Sequence, residues 1–369
     1  MPTIERKPFI PLTEFEQQAF CRTDDSLEVK PLSEEFSAAV SWQSIPSEYH
    51  DLGGAELSRR IAVARNALGK KLVILGHHYQ RDEIIQFADY RGDSLKLSQQ
   101  AAAQQEAEFI IFCGVHFMAE TAAIISPDKK VLIPDLDAGC SLSDSITLPQ
   151  LQKWKKEHPD AISVGYVNTT AEIKSELDFC CTSSNAVNVV KSIPADKEIL
   201  FLPDMFLGSY VARMTGRKNM FIWAGECHVH AGITPDDVKS KLDSFHNAEF
   251  LIHPECSCTS PMLYDVAAGN YNEHQVQILS TEGMMTHVQN SKSNDFVIAT
   301  ETGILYKMKQ QNPTKNFIPA STKAECEFMK MITLEKVYDS LLNEKYEVKV
   351  SKRIADKARL AIDRMLAIS

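Results

Sequence analysis

The sequence predicts an α/β protein made of three similar three-layer α/β/α domains. Each has a short parallel sheet, and the three sit around a pseudo-threefold axis with the active site at the centre. Runs of apolar, β-branched residues alternate with amphipathic helical patterns, which implies parallel sheets with helices on both faces. The alternation recurs three times along the chain, and each recurrence ends near one cysteine.

Three runs open comparable segments: KLVILGHHYQ at 71–80, AISVGYVNTT at 161–170 and AEFLIHPECS at 248–257. In each, His, Tyr, Asn or Glu follows the apolar stretch at once. A second run follows, in EFIIFCGVHFMAETAAI, DFCCTSSNAVNVVKSI and VQILSTEGMMTHVQNS, and reads as strand, small polar turn and amphipathic helix. A third strand completes each unit, in KKVLIPDLDAGC, NMFIWAGEC and KNFIPASTKAEC. The domains are expected at 53–147, 148–236 and 237–345. An N-terminal extension, 1–52, carries Pro, Ser and Glu in short patterns and is expected to wrap the surface. At the other end, 346–369 spaces Ile354, Ala358, Ala361, Ile362 and Met365 as a closing amphipathic helix. The third unit is longer than the others, with GNYNEHQ at 269–275 left unexplained by the repeat.

With 39 basic and 49 acidic residues the formal charge is −10, which argues against nucleic acid or an anionic membrane face as partner. Anions must instead be gathered by local donors. Apolar runs such as FIIFCGV are strand-sized, far short of the ~20 residues that span a bilayer. The first twenty residues include acids and no signal-peptide core, so a cytoplasmic protein is expected. In that compartment the nine cysteines read as thiols rather than disulfides. Neither G-x-G-x-x-G nor G-x-x-x-x-G-K-[ST] occurs, which disfavours a bound nucleotide.

Cys140, Cys227 and Cys326 follow the third strand of each unit, at intervals of 87 and 99 residues. Cys21, Cys113, Cys180, Cys181, Cys256 and Cys258 do not recur in phase, and the last four are read as non-ligands near the site. In parallel sheets ligands bind beyond the carboxyl ends of the strands, so the three in-phase thiols are expected to meet in one central cavity. Three thiols there leave three chemistries open. They suit a zinc site with one open position, or an iron–sulfur cluster with one iron free of protein. A lone thiol nucleophile would need one cysteine and a base instead. The CxxH spacing of Cys227 and His230 adds mixed ligation as an alternative.

Other residues fall into place by spacing. Pairs two apart lie on one side of an extended segment: His77 with Tyr79, Tyr166 with Asn168, and His253 with Glu255. His77 is expected to contact a substrate carboxylate or phosphate, and His253 to stabilise negative charge. Glu255 is the candidate carboxylate base, and His78 is read as structural. Ser94, Ser183, Ser280 and Thr281 lie at turns into helices, where hydroxyls and free backbone N–H groups suit anions. Met118 is expected on the cavity wall.

In order along the chain stand GHHYQ, ADYRGDSLKLSQQAA, FCGVHFMAETAAI, PDLDAGCSLSD, YVNTTAEIK, TSSNA, LPDMFLGSYVA, HPEC and MKMITLEKVYDSL. This set resembles the quinolinate synthase family, the iron–sulfur enzymes of NAD biosynthesis, over about residues 70–342. The resemblance implies a triangular three-domain fold with a central [4Fe–4S] cluster held by Cys140, Cys227 and Cys326. It implies condensation of iminoaspartate with dihydroxyacetone phosphate to quinolinate, phosphate and two waters, with one iron acting as Lewis acid. Tyr79 matches the family's catalytic tyrosine, His230 an active-site histidine, and Tyr166 with Asn168 a pair that orients substrate. Implied partners are an aspartate-oxidising enzyme and the iron–sulfur assembly machinery. Another [4Fe–4S] hydro-lyase and a structural metal-binding scaffold are the alternatives.

Overall fold

The computed structural model describes residues 45–272 and 274–368. The expected surface wrapping by the N-terminal extension falls mostly on 1–44 and lies outside the described residues, as does Cys21. Three four-stranded sheets are present, all parallel. The first contains β1 (Leu72–His77), β2 (Tyr90–Gly92), β3 (Phe109–Cys113) and β4 (Lys130–Leu132). The second contains β5 (Ile162–Tyr166), β6 (Phe179–Cys181), β7 (Ile199–Leu202) and β8 (Met220–Ile222). The third contains β9 (Glu249–Ile252), β10 (Val276–Ile278), β11 (Asp295–Ala299) and β12 (Asn316–Pro319). Strand order is the same in each: β2-β1-β3-β4, β6-β5-β7-β8 and β10-β9-β11-β12.

The repeat is real, but its count differs from the sequence reading. Each unit holds four strands rather than three, and the quoted second runs are not equivalent. FIIFC is β3, the third strand of its unit, whereas FCC is β6 and VQI is β10, the second strands of theirs. The reading thus passed over β2, whose three residues are too few for periodicity to register, and over β7 and β11. The central strands are continuous apolar runs because helices cover both faces; all six residues of β1 are buried.

Among the described residues, helices of seven residues or more are α1 (Gly54–Leu68), α2 (Ser94–Ala103), α3 (His116–Ile125), α4 (Leu148–Glu157), α5 (Ala186–Ser192) and α6 (Met205–Thr215). They continue with α7 (Pro235–Ser244), α8 (Thr259–Ala267), α9 (Thr281–Asn290), α10 (Ile304–Gln311), α11 (Leu334–Asn343) and α12 (Lys352–Ala367). Several begin with side-chain caps that satisfy free N–H groups. Asp93 caps α2 through Lys96 N–H at 2.9 Å, Asp204 caps α6 through Leu207 N–H at 2.6 Å, and Ser280 caps α9 through Gly283 N–H at 3.2 Å.

Local detail also repeats. Asp89 accepts the Ile74 N–H at 2.8 Å, and Asp178 accepts the Ser163 N–H at 2.9 Å, each tying the turn before a second strand to the first strand. The extra length of the third unit sits at one crossover. Units one and two pass from first to second strand through the four-residue helices Asp82–Ile85 and Ala171–Lys174; the third uses the nine-residue α8.

The C-terminal segment ties the units together. Helix α12 buries Ala358, Ala361, Ile362 and Met365 against β6, the Ala171–Lys174 helix and α3. Asn185 donates to the carbonyls of Met365 at 3.0 Å and Ile368 at 2.6 Å, closing its last turn. Helix α11 packs on α1, and its Lys336 makes a fully buried ion pair with Asp135, in the loop that leads to Cys140. Among the described residues no helix is long and apolar enough to cross a membrane. Breaking a buried pair leaves an uncompensated charge, so Lys336→Met is expected to cost about 3–5 kcal/mol. Chemical denaturation of the variant measures this, and a loss under about 1 kcal/mol would show the pair to be dispensable.

Candidate active site

Parallel pairing turns the carboxyl ends of all three sheets toward one cavity. Its wall contains His77, Tyr79, Ser94, Tyr166, Asn168, Ser183, His230, His253, Glu255 and Thr281, together with Cys140, Cys227 and Cys326. Every sequence-predicted site residue lines it except Ser280, whose hydroxyl is occupied in capping α9 and lies 3.0 Å from Ser184 Oγ. Met118 and His228 also line it, whereas His78 turns away to Glu282 at 3.1 Å.

The first strands deliver the paired residues. His77 ends β1, Tyr166 ends β5 and His253 directly follows β9. His77 Nδ1 accepts the Tyr79 N–H at 3.2 Å, and His253 Nδ1 lies 3.5 Å from the Glu255 nitrogen in the same arrangement. A ring whose Nδ1 accepts carries its proton on Nε2. Burial pushes His77 well below the ordinary imidazole range and His253 down to about 3. Both are therefore neutral N–H donors at pH 7 rather than cations.

The helices supply the second set. Helices α2, α5 and α9 each follow the second strand of their unit, so three helix N-termini face the cavity. Ser184 Oγ lies 2.9 Å from Asp93 Oδ2 and 3.0 Å from Ser280 Oγ, which joins all three units behind the wall. Ser94, Ser183 and Thr281 stand in front of that junction. An acidic chain thus gathers free N–H groups and hydroxyls for an anion at one point.

A chain of hydrogen bonds crosses the site. Tyr79 Oη is 2.6 Å from Thr300 Oγ1, and Thr300 Oγ1 is 2.9 Å from His230 Nε2. His230 Nδ1 lies 3.3 Å from Cys227 Sγ and 3.4 Å from Glu255 Oε2. Tyr166 donates its hydroxyl to Glu255, and the His230 and His253 rings stack with centroids 4.7 Å apart. Burial opposes charge on both His230 and Glu255, but Cys227 and then Glu255 favour the imidazolium, and His230 with the Tyr166 hydroxyl favours the carboxylate. Glu255 is held below the ordinary carboxylate range and His230 above the ordinary imidazole range. Thr300 was not singled out in the sequence; it is one threonine after an apolar strand, and no spacing rule marks it.

The three thiols come one from each unit, and none is in a disulfide. Backbone N–H groups of Ser143 and Leu142 face Cys140, those of Met329 and Phe328 face Cys326, and His230 faces Cys227. Such donors favour thiolate, but burial pushes Cys140 and Cys326 up to about 12 and Cys227 to about 11. The protein alone does not ionise them, whereas a bound metal would. Two buried atoms on the wall, Asn168 Oδ1 and His228 Nε2, have no hydrogen-bond partner, the mark of a place for a polar ligand. The chemistry of the wall therefore fits a metal group. Cys227, His230 and Glu255 also place ligand atoms within 4.8 Å of one another, so the mixed set raised by the CxxH spacing is a second way to hold a metal.

Cys180, Cys181, Cys256 and Cys258 are fully buried, and none lines the cavity. Glu282, beside Thr281, pins α9 to the first unit through His78 at 3.1 Å and Lys96 at 2.6 Å. Partial burial works against its ionisation, but these bonds outweigh it and bring the carboxyl from an ordinary 4.5 down to about 2. A folded pKa below the unfolded one contributes stability above the unfolded value and loses it as pH falls through the folded value. Glu282→Gln should therefore destabilise the protein at pH 7, with the gap to wild type closing between 4.5 and about 2. Urea titrations across that interval test this; a constant gap would exclude the linkage.

A family model described as Quinolinate synthetase A protein matches residues 59–367. A quinolinate synthase from Thermus thermophilus is 50% identical over 309 residues, covering 84% of this chain and 95% of that protein. One from Mycobacterium sp. (strain KMS) is 50% identical over 310 residues, covering 84% of this chain and 90% of that protein. One from Pyrobaculum aerophilum is 48% identical over 296 residues, covering 80% and 95%.

Proposed function

This chain belongs to the quinolinate synthase family, a family of enzymes, and from that premise we propose that it condenses iminoaspartate with dihydroxyacetone phosphate. The products are quinolinate, phosphate and two waters, and the reaction needs no external oxidant. We propose further that Cys140, Cys227 and Cys326 hold a [4Fe–4S] cluster, and that the units act as domains spanning 53–147, 148–236 and 237–345. One observation carries the reading: a thiol from each of three units lines the same cavity as Tyr79 and His230, the two ends of a hydrogen-bond chain through Thr300.

When bound, the cluster supplies a Lewis-acidic iron that lacks a cysteine ligand and eases departure of hydroxide. The chain's residues do the rest. The N-termini of α2, α5 and α9, with Ser94, Ser183 and Thr281, hold phosphate and carboxylates. His77 and His253, as neutral Nε2–H donors, bind substrate oxygen without fixing a counter-charge. Asn168, its amide oxygen unpartnered, accepts a hydrogen bond from substrate beside Tyr166. Protonated His230 donates through Nε2 to Thr300, and Thr300 in turn donates to Tyr79 Oη, leaving the tyrosine proton directed at the substrate. Tyr79 gives that proton to a departing hydroxyl, which leaves as water, and His230 replaces it through Thr300. Glu255, already ionised and bonded by Tyr166, stabilises the imidazolium. So acidic a carboxylate is a weak base, which suits a charge partner better than an independent proton acceptor.

A cytoplasmic setting suits this chemistry, because thiols stay reduced there. An aspartate-oxidising enzyme would supply the hydrolysable iminoaspartate, and iron–sulfur assembly machinery the cluster. Anaerobic purification with iron, followed by the absorbance near ~400 nm of thiolate-bound iron–sulfur centres and a quinolinate assay, tests the reading. Alanine at Cys140, Cys227 or Cys326 should each abolish cluster loading. A brown protein that makes no quinolinate would favour another hydro-lyase. An inactive protein with zinc and no iron would favour a structural scaffold that uses Cys227, His230 and Glu255. Thr300→Val keeps the side chain's shape but removes the central hydroxyl, and should lower kcat about a hundredfold with iron content unchanged. Full activity in that variant would exclude the proton path.

A further inference from the structure

We propose that the buried Glu301–Lys330 ion pair is a positioning device that sets Tyr79 and Cys326 in place together. The proposal rests on the cluster reading above. Glu301 follows Thr300 at the end of β11 and is fully buried. Its Oε1 accepts the Cys326 N–H at 3.1 Å and lies 3.0 Å from Lys330 Nζ, while Oε2 accepts the Gly303 N–H at 2.7 Å. Lys330 closes the short helix that starts directly after Cys326, and is 8% exposed. Its Nζ also donates to the backbone carbonyl of Tyr79, and its own carbonyl accepts Arg81 Nε at 2.7 Å. Gln80 Nε2 reaches Met329 Sδ at 3.6 Å. Three consecutive residues of the first unit thus grip two consecutive residues of the third.

The surroundings leave this pair no slack. A Cβ at Gly303 would lie 2.8 Å from Glu301 Oε2, 2.8 Å from Lys330 Nζ and 3.1 Å from the Tyr79 carbonyl carbon, so a side chain there would push both members of the pair aside. The pair is not a requirement of the repeat either. The matching place in the second unit holds Asp204, which caps α6, and in the first it holds Val115. Asp204 also faces the backbone N–H of its own in-phase cysteine, Cys227, so a carboxylate on the cysteine backbone recurs in two units. What the third unit adds is a lysine that balances the carboxylate and reaches the neighbouring unit. An ionised acceptor holds the Cys326 N–H more firmly than a neutral one. The lysine that balances its charge uses another donor on the segment carrying the catalytic hydroxyl. Misplacement by ~1 Å costs as much as a hundredfold in rate, which gives such a tie a purpose.

Lys330→Met, Glu301→Gln and the double variant, each reconstituted anaerobically as holoenzyme, test the proposal. Iron content, cluster reduction potential and quinolinate kinetics at varied dihydroxyacetone phosphate are the readouts. Net charge near a cluster sets its potential, so Lys330→Met should lower it, Glu301→Gln should raise it, and the double variant should lie near wild type. All three should lose about tenfold to a hundredfold in kcat with a much smaller change in KM. Single variants that lose iron which the double variant regains would carry the same conclusion. Wild-type kcat in either single variant, potentials that move in one direction, or iron lost in all three would overturn it. A wild-type protein without iron would overturn the cluster reading instead.

Discussion

Parallel strand pairing is the constraint on which the rest of this molecule depends. Parallel neighbours cannot be joined by a tight turn, so each strand returns through a helix or helical turn, and all carboxyl ends in a sheet point the same way. A four-stranded sheet of this kind offers one polar edge: strand ends, helix N-termini and connecting loops. Here three such edges face each other, and each supplies the same three things to one cavity. They are a pair of residues two apart at the end of the first strand, a helix N-terminus after the second, and a cysteine after the fourth.

The shared cavity sets an electrostatic problem that the surface charge does not reveal. The chain is acidic, with a formal charge of −10, yet its site is proposed to hold phosphate, carboxylates and thiolates. The buried lysines nearby do not face the substrate side as free cations: Lys336 pairs with Asp135, Lys330 with Glu301, and Lys174 donates to the Thr169 carbonyl over the Phe117 ring. Negative charge is met instead by backbone N–H groups, hydroxyls and neutral imidazoles. One imidazole, His230, is favoured in its charged form by Cys227 and Glu255 beside it. Donors of this type are oriented before substrate arrives, so little reorganisation is required during reaction.

Repetition and departure from it have separate uses. The equivalent aspartates Asp89 and Asp178 maintain the same turn geometry in two units, and Ser184 joins the three helix N-termini. The third unit departs most. It carries the longer crossover through α8, Thr300 on the proton path, and the Glu301–Lys330 tie to the first unit. The proposed chemistry is therefore asymmetric on a nearly symmetric frame: tyrosine from unit one, its relay from units two and three.

Much of this was legible in the sequence. The α/β class, the threefold repeat, the in-phase cysteines and the residues two apart all follow from period and spacing, because strand direction converts position in the repeat into position in space. Strand count was not legible: the quoted runs passed over β2, a strand of three residues, and over β7 and β11, because the second run was taken from the third strand in one unit and from the second strand in the other two. Ser280 shows the same limit at the site, since a serine before a helix reads equally as ligand or cap, and only the fold shows its hydroxyl occupied in capping α9. Thr300 and Glu301 carry no motif of their own. Thr300 bonds partners 221 and 70 residues away, and Glu301 pairs with Lys330, which itself bonds a carbonyl 251 residues distant. Period and spacing set which residues could meet at strand ends; packing of the units against one another selected those that touch, because hydrogen bonds and buried charges are satisfied across units rather than along the chain.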